Sequence, residues 1–338
     1  MDYVKTLNNT LNPRKTQKET VLDLFAGCGG LALGFESAGY RTIGFEMEDS
    51  AAETYEKNLK SVCNSVKLDL DFKYPEAEII IGGPPCQPFS VGGHQKGIED
   101  SRDGFPIFID AVKKLQPKIF MFENVRGLLY SNKWYFDLVI QELQKLGYII
   151  DYKLLNAVNY GVPQNRERLF VVGHRAKFNF PKPHQRKVTV SEAIGDTMSI
   201  TYEDSKFLNA SMDKYVAKYE KASFCINPRD LYPDKPARTL TCRNLAGATG
   251  DMQRVRLPDG RRRRLSHREA ARLQSFPDWF SFSGNETQQF NQIGNAVPPL
   301  LSYQLALALK ECYKLGDLFS SEEILENNLQ ANNVLTLF

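Results

Sequence analysis

One of the six cysteines in this 338-residue chain lies where a nucleophile is expected. Cys86 follows an apolar run at 79–81 and two glycines, and Pro84 and Pro85 stiffen the approach to it. A lone cysteine is usually an inert core residue, but a loop this rich in glycine and proline is a poor core segment. We therefore predict that Cys86 is a nucleophile, which reacts as its thiolate.

Charged residues stand at the ends of two further apolar runs. Glu123 follows the run at 119–122, and a carboxyl group beside apolar neighbours has a raised pKa and can donate a hydrogen bond or a proton. Arg166 and Arg168 precede another apolar run, and their alternate spacing places both on one side of a strand. Such cations can stabilise a developing oxyanion or hold an anionic backbone. Each feature alone is also compatible with an ordinary solvated strand end.

A glycine-dense segment, DLFAGCGGLALGF at 23–35, indicates a strand, a tight turn and a helix whose N–H groups face a ligand. Its spacing is neither GxGxxG nor the phosphate-binding GxxxxGK[ST]. Glu46 ends the next strand, and an acid there can accept hydrogen bonds from both hydroxyls of a ribose. The pair favours a nucleoside-containing cofactor, although a purely structural turn and an exposed glutamate remain alternatives.

The elements that position these residues alternate between short apolar runs and helical periods. The predicted strands are 21–25, 41–46, 65–69, 78–83, 118–123, 148–156 and 168–173. Strands separated by helices imply βαβ crossovers, so we predict an α/β fold with a mostly parallel sheet. In such sheets ligands bind beyond the carboxyl ends of the strands, which is where the candidate residues lie.

The composition is that of an ordinary globular protein, with 42% hydrophobic and 25% charged residues. No apolar run approaches the roughly 18 residues of a membrane span, and the first 20 residues lack the apolar region of a signal peptide. Six cysteines without a CxxC pair and four histidines give neither a disulfide framework nor a zinc pattern. These features predict a cytoplasmic protein with no membrane segment and no metal.

The net charge of +3 is unevenly distributed. Residues 174–264 hold 19 of the 43 Lys and Arg residues but only 10 of the 40 Asp and Glu residues. That segment therefore carries +9 and the rest of the chain −6. Such an asymmetry is expected where one part of a protein meets a polyanion, although a solvated lysine-rich surface would give it too.

Taken together and in order, six blocks resemble the signature motifs of the cytosine-C5 DNA methyltransferase family of the bacterial restriction–modification type. They are DLFAGCGGL, GGPPCQPFS, FENVRGLL, PQNRERLF, RRLSHREAARLQSFPDWF and QIGNAVPPLLSYQLA, and they span about residues 20–312. The resemblance implies a Rossmann-like, S-adenosyl-L-methionine-dependent catalytic domain at 1–177 plus 290–338. It also implies a smaller target-recognition domain that binds DNA, at 178–289.

The resemblance also implies a mechanism and assigns its residues. Cys86 would add to C6 of a cytosine flipped out of duplex DNA, with nearby positive charge favouring its thiolate. Glu123 would bond N3 and the exocyclic amine, Arg168 would contact O2, and Arg166 would support the site. The methyl group of S-adenosyl-L-methionine would then pass to C5.

Further residues are assigned to cofactor and DNA by the same resemblance. Glu46 would bind the ribose, Met47 would lie against the adenine, and Asp69 would bind the adenine amine. The cofactor set is Phe25, Ala26, Gly27, Gly29, Gly30, Leu31, Glu46, Met47, Asp69, Leu70, Pro85, Asn295, Ala296 and Val297. The DNA set is Gln87, Ser90, Thr239, Leu240 and Arg243, with Arg254 and Arg256 as further candidates for phosphate or guanine contacts.

The function that these expectations support is a site-specific DNA (cytosine-5)-methyltransferase. It would be a monomer associated with the nucleoid, and it would protect host DNA from a cognate restriction endonuclease. A tRNA cytosine-5 methyltransferase is the alternative; that branch typically shows PPCQPFTR and CFT, where this chain has PPCQPFSV and FCI. A catalytically inactive DNA-binding homologue is a third possibility, disfavoured because Cys86, Glu123, Arg166 and Arg168 are all present.

Overall fold

The computed structural model contains one large sheet and one small sheet within the residues that it describes, which are 2–86, 103–222, 224, 229–246, 251–314, 323–324 and 327–328. The strands are β1 (Thr20–Leu24), β2 (Arg41–Glu46), β3 (Cys63–Ser65), β4 (Ile79–Gly82), β5 (Ile119–Val125), β6 (Ile149–Asn156), β7 (Glu167–His174), β8 (Arg254–Arg256) and β9 (Arg262–Arg264). The large sheet has the order β3-β2-β1-β4-β5-β7-β6. Strands β1 to β5 pair in parallel, whereas β7 is antiparallel to both β5 and β6. The predicted mostly parallel α/β fold is confirmed.

Helices follow the strands as βαβ crossovers require. They are α1 (Tyr3–Thr10), α2 (Gly30–Ser37), α3 (Asp49–Asn58), α4 (Phe105–Leu115), α5 (Gly127–Tyr130), α6 (Lys133–Lys145), α7 (Val190–Ile194), α8 (Ala210–Ala222), α9 (Cys242–Ala246), α10 (His267–Leu273), α11 (Glu286–Asn295) and α12 (Pro299–Lys314). Capping boxes begin α7, α10 and α11, where a Ser, Thr or Asn side chain and a Glu or Gln three residues on satisfy free N–H groups.

Both faces of the large sheet are covered by helices. In β4, Ile79 and Ile81 face one side and pack with α2 and α12, while Ile80 faces the other and packs with α4 and α6. All three isoleucines are fully buried. A strand buried on both faces is apolar throughout, which explains the uninterrupted IIIG and IFMF runs.

The predicted target-recognition domain, residues 178–289 and called the recognition segment below, packs directly on the predicted catalytic domain. One apolar cluster joins Ala26 and Leu33 of the predicted catalytic domain to Leu240 and Phe276 of the recognition segment. Helix α11 spans the boundary predicted at residue 290. The short hairpin of β8 and β9 and helix α8 have no counterpart in the sequence prediction, because this part of the chain shows no sustained hydrophobic period.

Candidate active site

The carboxyl ends of β4 and β5 bring the predicted nucleophile next to the predicted acid. The side-chain amide of Asn124 donates to the carbonyl of Pro84 at 3.0 Å, which ties the loop after β4 to the end of β5. A Cβ on Gly83 would lie 3.8 Å from Oε2 of Glu123. Cys86 itself forms an isolated antiparallel bridge with Asp103. The neighbouring strands are the reason that Cys86 and Glu123 share one edge of the sheet.

Glu123 forms an ion pair with Arg168 on the adjacent strand β7. Nε of Arg168 lies 2.8 Å from Oε1 of Glu123, and the two side chains are 14% and 12% exposed. The N–H is not aligned with Oε1, so within the described residues this buried oxygen lacks an aligned hydrogen bond and can receive one from a ligand. Burial raises the pKa of Glu123, with Arg168 and Arg166 opposing the shift, and this is the direction that its apolar flank predicts.

The environment of Cys86 disfavours its thiolate. Burial, followed by the carboxylate of Asp103, raises the pKa of the Cys86 thiol to about 12. Asp103 is held in place by the N–H of Phe105 at 3.1 Å and by the hydroxyl of Tyr135. Among the described residues, the charge that shifts the pKa of Cys86 is the negative charge of Asp103, so the expectation that positive charge favours the thiolate stays a prediction. A pKa of about 12 leaves the half-buried thiol protonated near neutral pH.

Arg166 lies beneath the site rather than in it. Its buried guanidinium donates to the carbonyl of Leu240 at 2.7 Å and to those of Gly294 and Ala296 at 3.0 and 3.1 Å. Burial lowers the pKa of Arg166, and Arg168 lowers it further. Bonds to carbonyls of two distant segments make Arg166 a positioning residue, which joins the recognition segment to the chain around Ala296.

The glycine-dense turn has the strained backbone that a close ligand contact requires. Phe25, Gly27 and Gly29 have φ values of 59°, 55° and 85°, in the left-handed region. The N–H of Gly27 donates to Oε2 of Glu46 at 2.7 Å, and the N–H groups of Met47 and Glu48 donate to its Oε1, each at 2.9 Å. A Cβ on Gly27 would meet no atom within 4 Å, so the turn faces open space. The acid at the end of β2 is thereby fixed beside an open cradle.

The segments that were assigned to the cofactor converge around this cradle. A Cβ on Gly30 would lie 2.6 Å from the carbonyl oxygen of Val297. A Cβ on Gly104 would lie 2.5 Å from Cδ of Pro85 and 3.0 Å from the ring of Phe25. The segments around Phe25 to Leu31, Glu46, Pro85 and Asn295 to Val297 therefore meet at one end of the sheet. An open cradle beside a fixed carboxylate fits a nucleoside cofactor that carries positive charge.

The residues assigned to the adenine lie at the neighbouring strand ends. Met47 and Leu70 are 61% and 54% exposed, an uncommon degree for large apolar side chains. Oδ1 of Asp69 accepts from the N–H of Asp71 at 3.0 Å. These observations do not test the adenine role of the three residues, which stays a prediction.

Three polar residues of the site escaped the sequence prediction. Asp23 is the residue before the last one of β1. Both of its carboxyl oxygens are buried and have no hydrogen-bond partner in the described part of the chain. Burial, followed by the negative charge of Glu46, raises the pKa of Asp23 well above its usual range. Its place between an apolar strand and a glycine turn was an available signal. Gln164 accepts from the N–H of Leu240 at 2.8 Å and donates to Gln274, which donates to the carbonyl of Ala296 at 2.6 Å. No sequence pattern marks such amide bridges.

Thr239 lies at an open cleft beside the ion pair of the active site. Its hydroxyl donates to the carbonyl of Asn165 at 2.6 Å. The cleft has a volume of about 290 Å³ and is lined by Arg126, Asn156, Asn165, Glu167 and Thr239. Glu167 directly precedes Arg168, so this cleft adjoins the catalytic edge of the sheet.

The other predicted DNA contacts divide into three groups. Arg243 is exposed, as a contact residue must be, and Arg256 is exposed too. Leu240 is fully buried in the core, so its side chain offers no surface to DNA in this structure. Gln87 and Ser90 lie outside the described residues.

The suggested DNA contact of Arg254 is wrong. Its fully buried guanidinium lies 2.9 Å from Asp230 and 3.2 Å from Glu220. Both acceptors are contributed by the recognition segment itself, so the charge that suggested a role in DNA binding is used to hold this segment together.

Two further features of the described residues concern metals and membranes. No group of three or more His, Cys, Asp or Glu side chains among them is arranged to hold a metal ion. None of the helices in that part of the chain has both the length and the apolar character to cross a membrane.

Comparisons with known proteins agree with this geometry. The family described as C-5 cytosine-specific DNA methylase matches residues 20–311. The Type II methyltransferase M.AplI of Arthrospira platensis is 56% identical over 305 residues, which cover 89% of this chain and 88% of that protein. The Type II methyltransferase M.FnuDI of Fusobacterium nucleatum is 34% identical over 329 residues, covering 86% and 94%.

Solved structures share the fold at low sequence identity. The Entamoeba histolytica methyltransferase EhMeth is 21% identical with a TM-score of 0.66, covering 89% of this chain and all of that one. The S. pombe Dnmt2 methyltransferase is 16% identical with a TM-score of 0.67, covering 87% and 98%. These two likenesses support the fold of the chain alone.

Proposed function

This chain belongs to the C-5 cytosine-specific DNA methylase family of DNA (cytosine-5)-methyltransferases, and from that premise we propose how it acts. It transfers a methyl group from S-adenosyl-L-methionine to C5 of a cytosine flipped out of duplex DNA, through a covalent bond between Cys86 and C6. It acts as a monomer at a specific sequence. The observation that carries the proposal is the shared strand edge on which Cys86, Glu123 and Arg168 lie.

The roles of these residues follow from their surroundings. Cys86 attacks C6, because addition there makes the otherwise unreactive C5 nucleophilic. After the methyl group is transferred, a water molecule acting as base removes the C5 proton, and the bond between Cys86 and C6 breaks to restore the ring and the free cysteine. Glu123 has a raised pKa and a carboxylate oxygen without an aligned hydrogen bond, so it can bond N3 and the exocyclic amine as the thiolate adds. Arg168 is held by Glu123 and faces the same edge, where it contacts O2. Each group acts on a different atom of one pyrimidine ring.

The cofactor would be held by the converging segments around the glycine-dense turn. S-adenosyl-L-methionine supplies an electrophilic methyl group when bound. Glu46 would hold the ribose hydroxyls, and Pro85 and the segments at Phe25 to Leu31 and Asn295 to Val297 would form the walls. Met47, Asp69 and Leu70 would hold the adenine.

The proton of Cys86 must leave before the attack. The pKa of about 12 keeps the thiol neutral in this conformation, so thiolate formation depends on changes that accompany DNA binding. Gln87 and Ser90, which directly follow the nucleophile region in sequence, contact the DNA in this proposal, as do Thr239 and Arg243. Loss of the thiol proton would thereby be confined to the complex with substrate.

The biological role proposed is protection of host DNA against a cognate restriction endonuclease. The similar proteins M.AplI and M.FnuDI are both named Type II methyltransferases, and the chain matches them over most of their length. Action on tRNA is not favoured, because the family model that matches residues 20–311 is described as a DNA methylase.

Labelled methyl transfer to plasmid DNA tests the proposal. We expect incorporation by the wild type, none by Cys86→Ala, and near wild-type incorporation by the control Cys312→Ala, which replaces a buried cysteine of α12. Duplex DNA with 5-fluorocytosine should trap a complex that survives denaturation, but not with Cys86→Ala. Equal incorporation by wild type and Cys86→Ala would exclude the covalent mechanism, and transfer to tRNA alone would exclude DNA as the substrate. Bisulfite sequencing of the methylated plasmid gives the recognition sequence.

A further inference from the structure

Three arginines of the recognition segment surround a single carboxylate. Nε of Arg229 lies 3.4 Å, Nη2 of Arg238 3.9 Å and Nε of Arg243 3.7 Å from the oxygens of Asp251. We call these four residues the Asp251 cluster. One carboxylate neutralises one guanidinium, so the four side chains together carry a formal excess of two positive charges.

The Asp251 cluster is looser than the buried ion pair of Arg263 and Glu269 in the same segment. Arg263 lies 2.8 Å from both oxygens of Glu269, and this pair is buried. In the cluster no ion-pair distance is below 3.4 Å, and the side chains of Arg243 and Asp251 are 76% and 30% exposed. Short, bidentate distances mark a permanent pair. Long distances at a partly exposed carboxylate mark one that an external anion can replace.

Arg238 has unused bonding capacity. Its Nη1 is buried and has no hydrogen-bond partner within the part of the chain that the structure describes. Burial, followed by the charge of Arg229, lowers the pKa of Arg238, so an added anion would relieve repulsion within the cluster. A buried guanidinium nitrogen without an acceptor is costly, and a bound oxyanion would remove that cost.

The Asp251 cluster lies beside the cleft of the active site. Arg238 directly precedes Thr239, which lines that cleft. The side-chain amide of Gln253 donates to the carbonyls of both Arg238 and Thr239, each at 3.2 Å, and so fixes this part of the backbone. An anion bound by the cluster would therefore lie next to the nucleic acid that occupies the cleft.

We propose that the Asp251 cluster binds a backbone phosphate of DNA and that Asp251 is an internal competitor for that phosphate. Phosphate and carboxylate both match the guanidinium fork, so a phosphate must displace Asp251 to bind all three arginines. This displacement costs the same on every DNA sequence. Only a cognate site offsets it through base contacts, so Asp251 weakens non-cognate binding and increases sequence discrimination. The proposal rests on the proposed function in taking DNA as the substrate.

Binding titrations with Asp251→Asn test the competitor role. The probes are a random-sequence duplex and the duplex whose sequence bisulfite sequencing identifies, each titrated at several salt concentrations. We expect Asp251→Asn to bind the random duplex about five- to tenfold more tightly at low salt, the effect of one removed competing charge in water. The plot of log K against log salt should steepen by about one for this duplex. The affinity for the cognate duplex should change less than the affinity for the random duplex.

The matched control is Asp259→Asn, which removes the same charge from an exposed turn of the same segment. Equal effects of the two variants would overturn the competitor role. If Asp251→Asn does not unfold cooperatively, Arg243→Gln tests the phosphate site instead, because the exposed Arg243 can be changed without loss of core packing. We expect Arg243→Gln to lower the salt slope by about one, and an unchanged slope would overturn the phosphate site.

Discrimination in catalysis gives an independent readout. Methylation of a random-sequence library, followed by bisulfite sequencing, should show a broader set of methylated sequences for Asp251→Asn than for wild type or Asp259→Asn. An identical set would contradict the specificity role. If wild type transfers no methyl group to any DNA while the salt slopes change as expected, the proposed function fails and the phosphate site stands.

Discussion

Arginine–carboxylate pairs occur both at the catalytic edge of the sheet and in the recognition segment, but their geometry differs. Arg263 and Glu269 form two aligned hydrogen bonds of 2.8 Å in the core. Glu123 and Arg168 lie at the same distance, yet a buried carboxylate oxygen lacks an aligned donor. Both carboxylate oxygens of Glu269 are bonded, so this carboxylate has no capacity left for a ligand and serves structure. An incompletely bonded pair is costly unless a ligand completes it, which indicates function.

The largest effect should come from Glu123→Gln. The amide can no longer supply the charge and proton that the carboxyl group supplies, so we expect kcat to fall by a factor on the order of 10²–10⁴. Thermal unfolding should change little relative to this loss. The control is Glu142→Gln, whose carboxylate belongs to an exposed pair with Lys145. If activity falls only as much as the amount of folded protein falls, Glu123 has a structural role. The ion pairs of the catalytic edge and of the recognition segment would then not differ in function.

The opposite pattern is expected for Glu269→Gln. This change leaves the guanidinium of Arg263 buried and unpaired, which should lower the free energy of unfolding by about 3–5 kcal/mol. Chemical denaturation measures this, with Asp259→Asn as an exposed control that should leave the midpoint unchanged. Methyl transfer per folded molecule should stay near the wild-type value. A loss of activity without a loss of stability would show that this pair also serves catalysis.

The catalytic edge could be predicted from the sequence because its residues flank apolar runs within ordered motifs. Cys86 and Glu123 come at the carboxyl ends of the parallel strands β4 and β5, which lie at one edge of the sheet. Arg168 reaches the same edge because it lies at the start of the antiparallel strand β7, opposite Val125. The pKa of Cys86 could not be predicted in this way. It depends on Asp103, 17 positions away in the chain, and on burial that only the folded structure produces.

The recognition segment was much less predictable. Its excess of positive charge predicts contact with a polyanion, which stays a prediction, and the positive charge of Arg254 is paired with Asp230 and Glu220 inside the segment. Charge counts do not separate a buried guanidinium from an exposed one, since both have the same sequence signature. The amide bridges of Gln164 and Gln274 join segments about 110 residues apart, so they too require the folded chain.

A third prediction tests how the two regions fit together. Gly294 lies so close to the recognition segment that a Cβ would be 2.5 Å from the N atom of Cys242 and 2.7 Å from the carbonyl carbon of Thr241. We expect Gly294→Ala to cost about 1–3 kcal/mol of stability, as overpacking does, and to displace Thr239. Steady-state kinetics should show a larger change in KM for DNA than in kcat. Gly127→Ala, where a Cβ would meet no atom within 4 Å, is the matched control.

If Gly294→Ala changes kcat and KM to the same extent as Gly127→Ala, the close contact at Gly294 does not set the position of the recognition segment. The two regions would then act more independently than the bonds of Arg166 to both of them imply.

The smallest effect concerns the pH dependence of Cys86 in the enzyme without DNA. A raised pKa means that the thiolate fraction grows about tenfold per pH unit until the pH reaches that pKa. Alkylation of Cys86 by iodoacetamide, followed by mass spectrometry, should therefore accelerate about tenfold per unit between about pH 7 and pH 9 and show no plateau below about pH 10. A short peptide of sequence PPCQPF, with an ordinary thiol, should reach its plateau at a pH about three units lower than the enzyme does.

Asp103→Asn separates the two causes of this shift. Removing the neighbouring negative charge should move the alkylation profile to lower pH, but not to the profile of the peptide, because burial is the larger cause. A plateau near neutrality in the wild type would mean that the nucleophile is activated before DNA arrives. The free enzyme would then already hold Cys86 as a thiolate, and loss of the thiol proton would not depend on DNA binding.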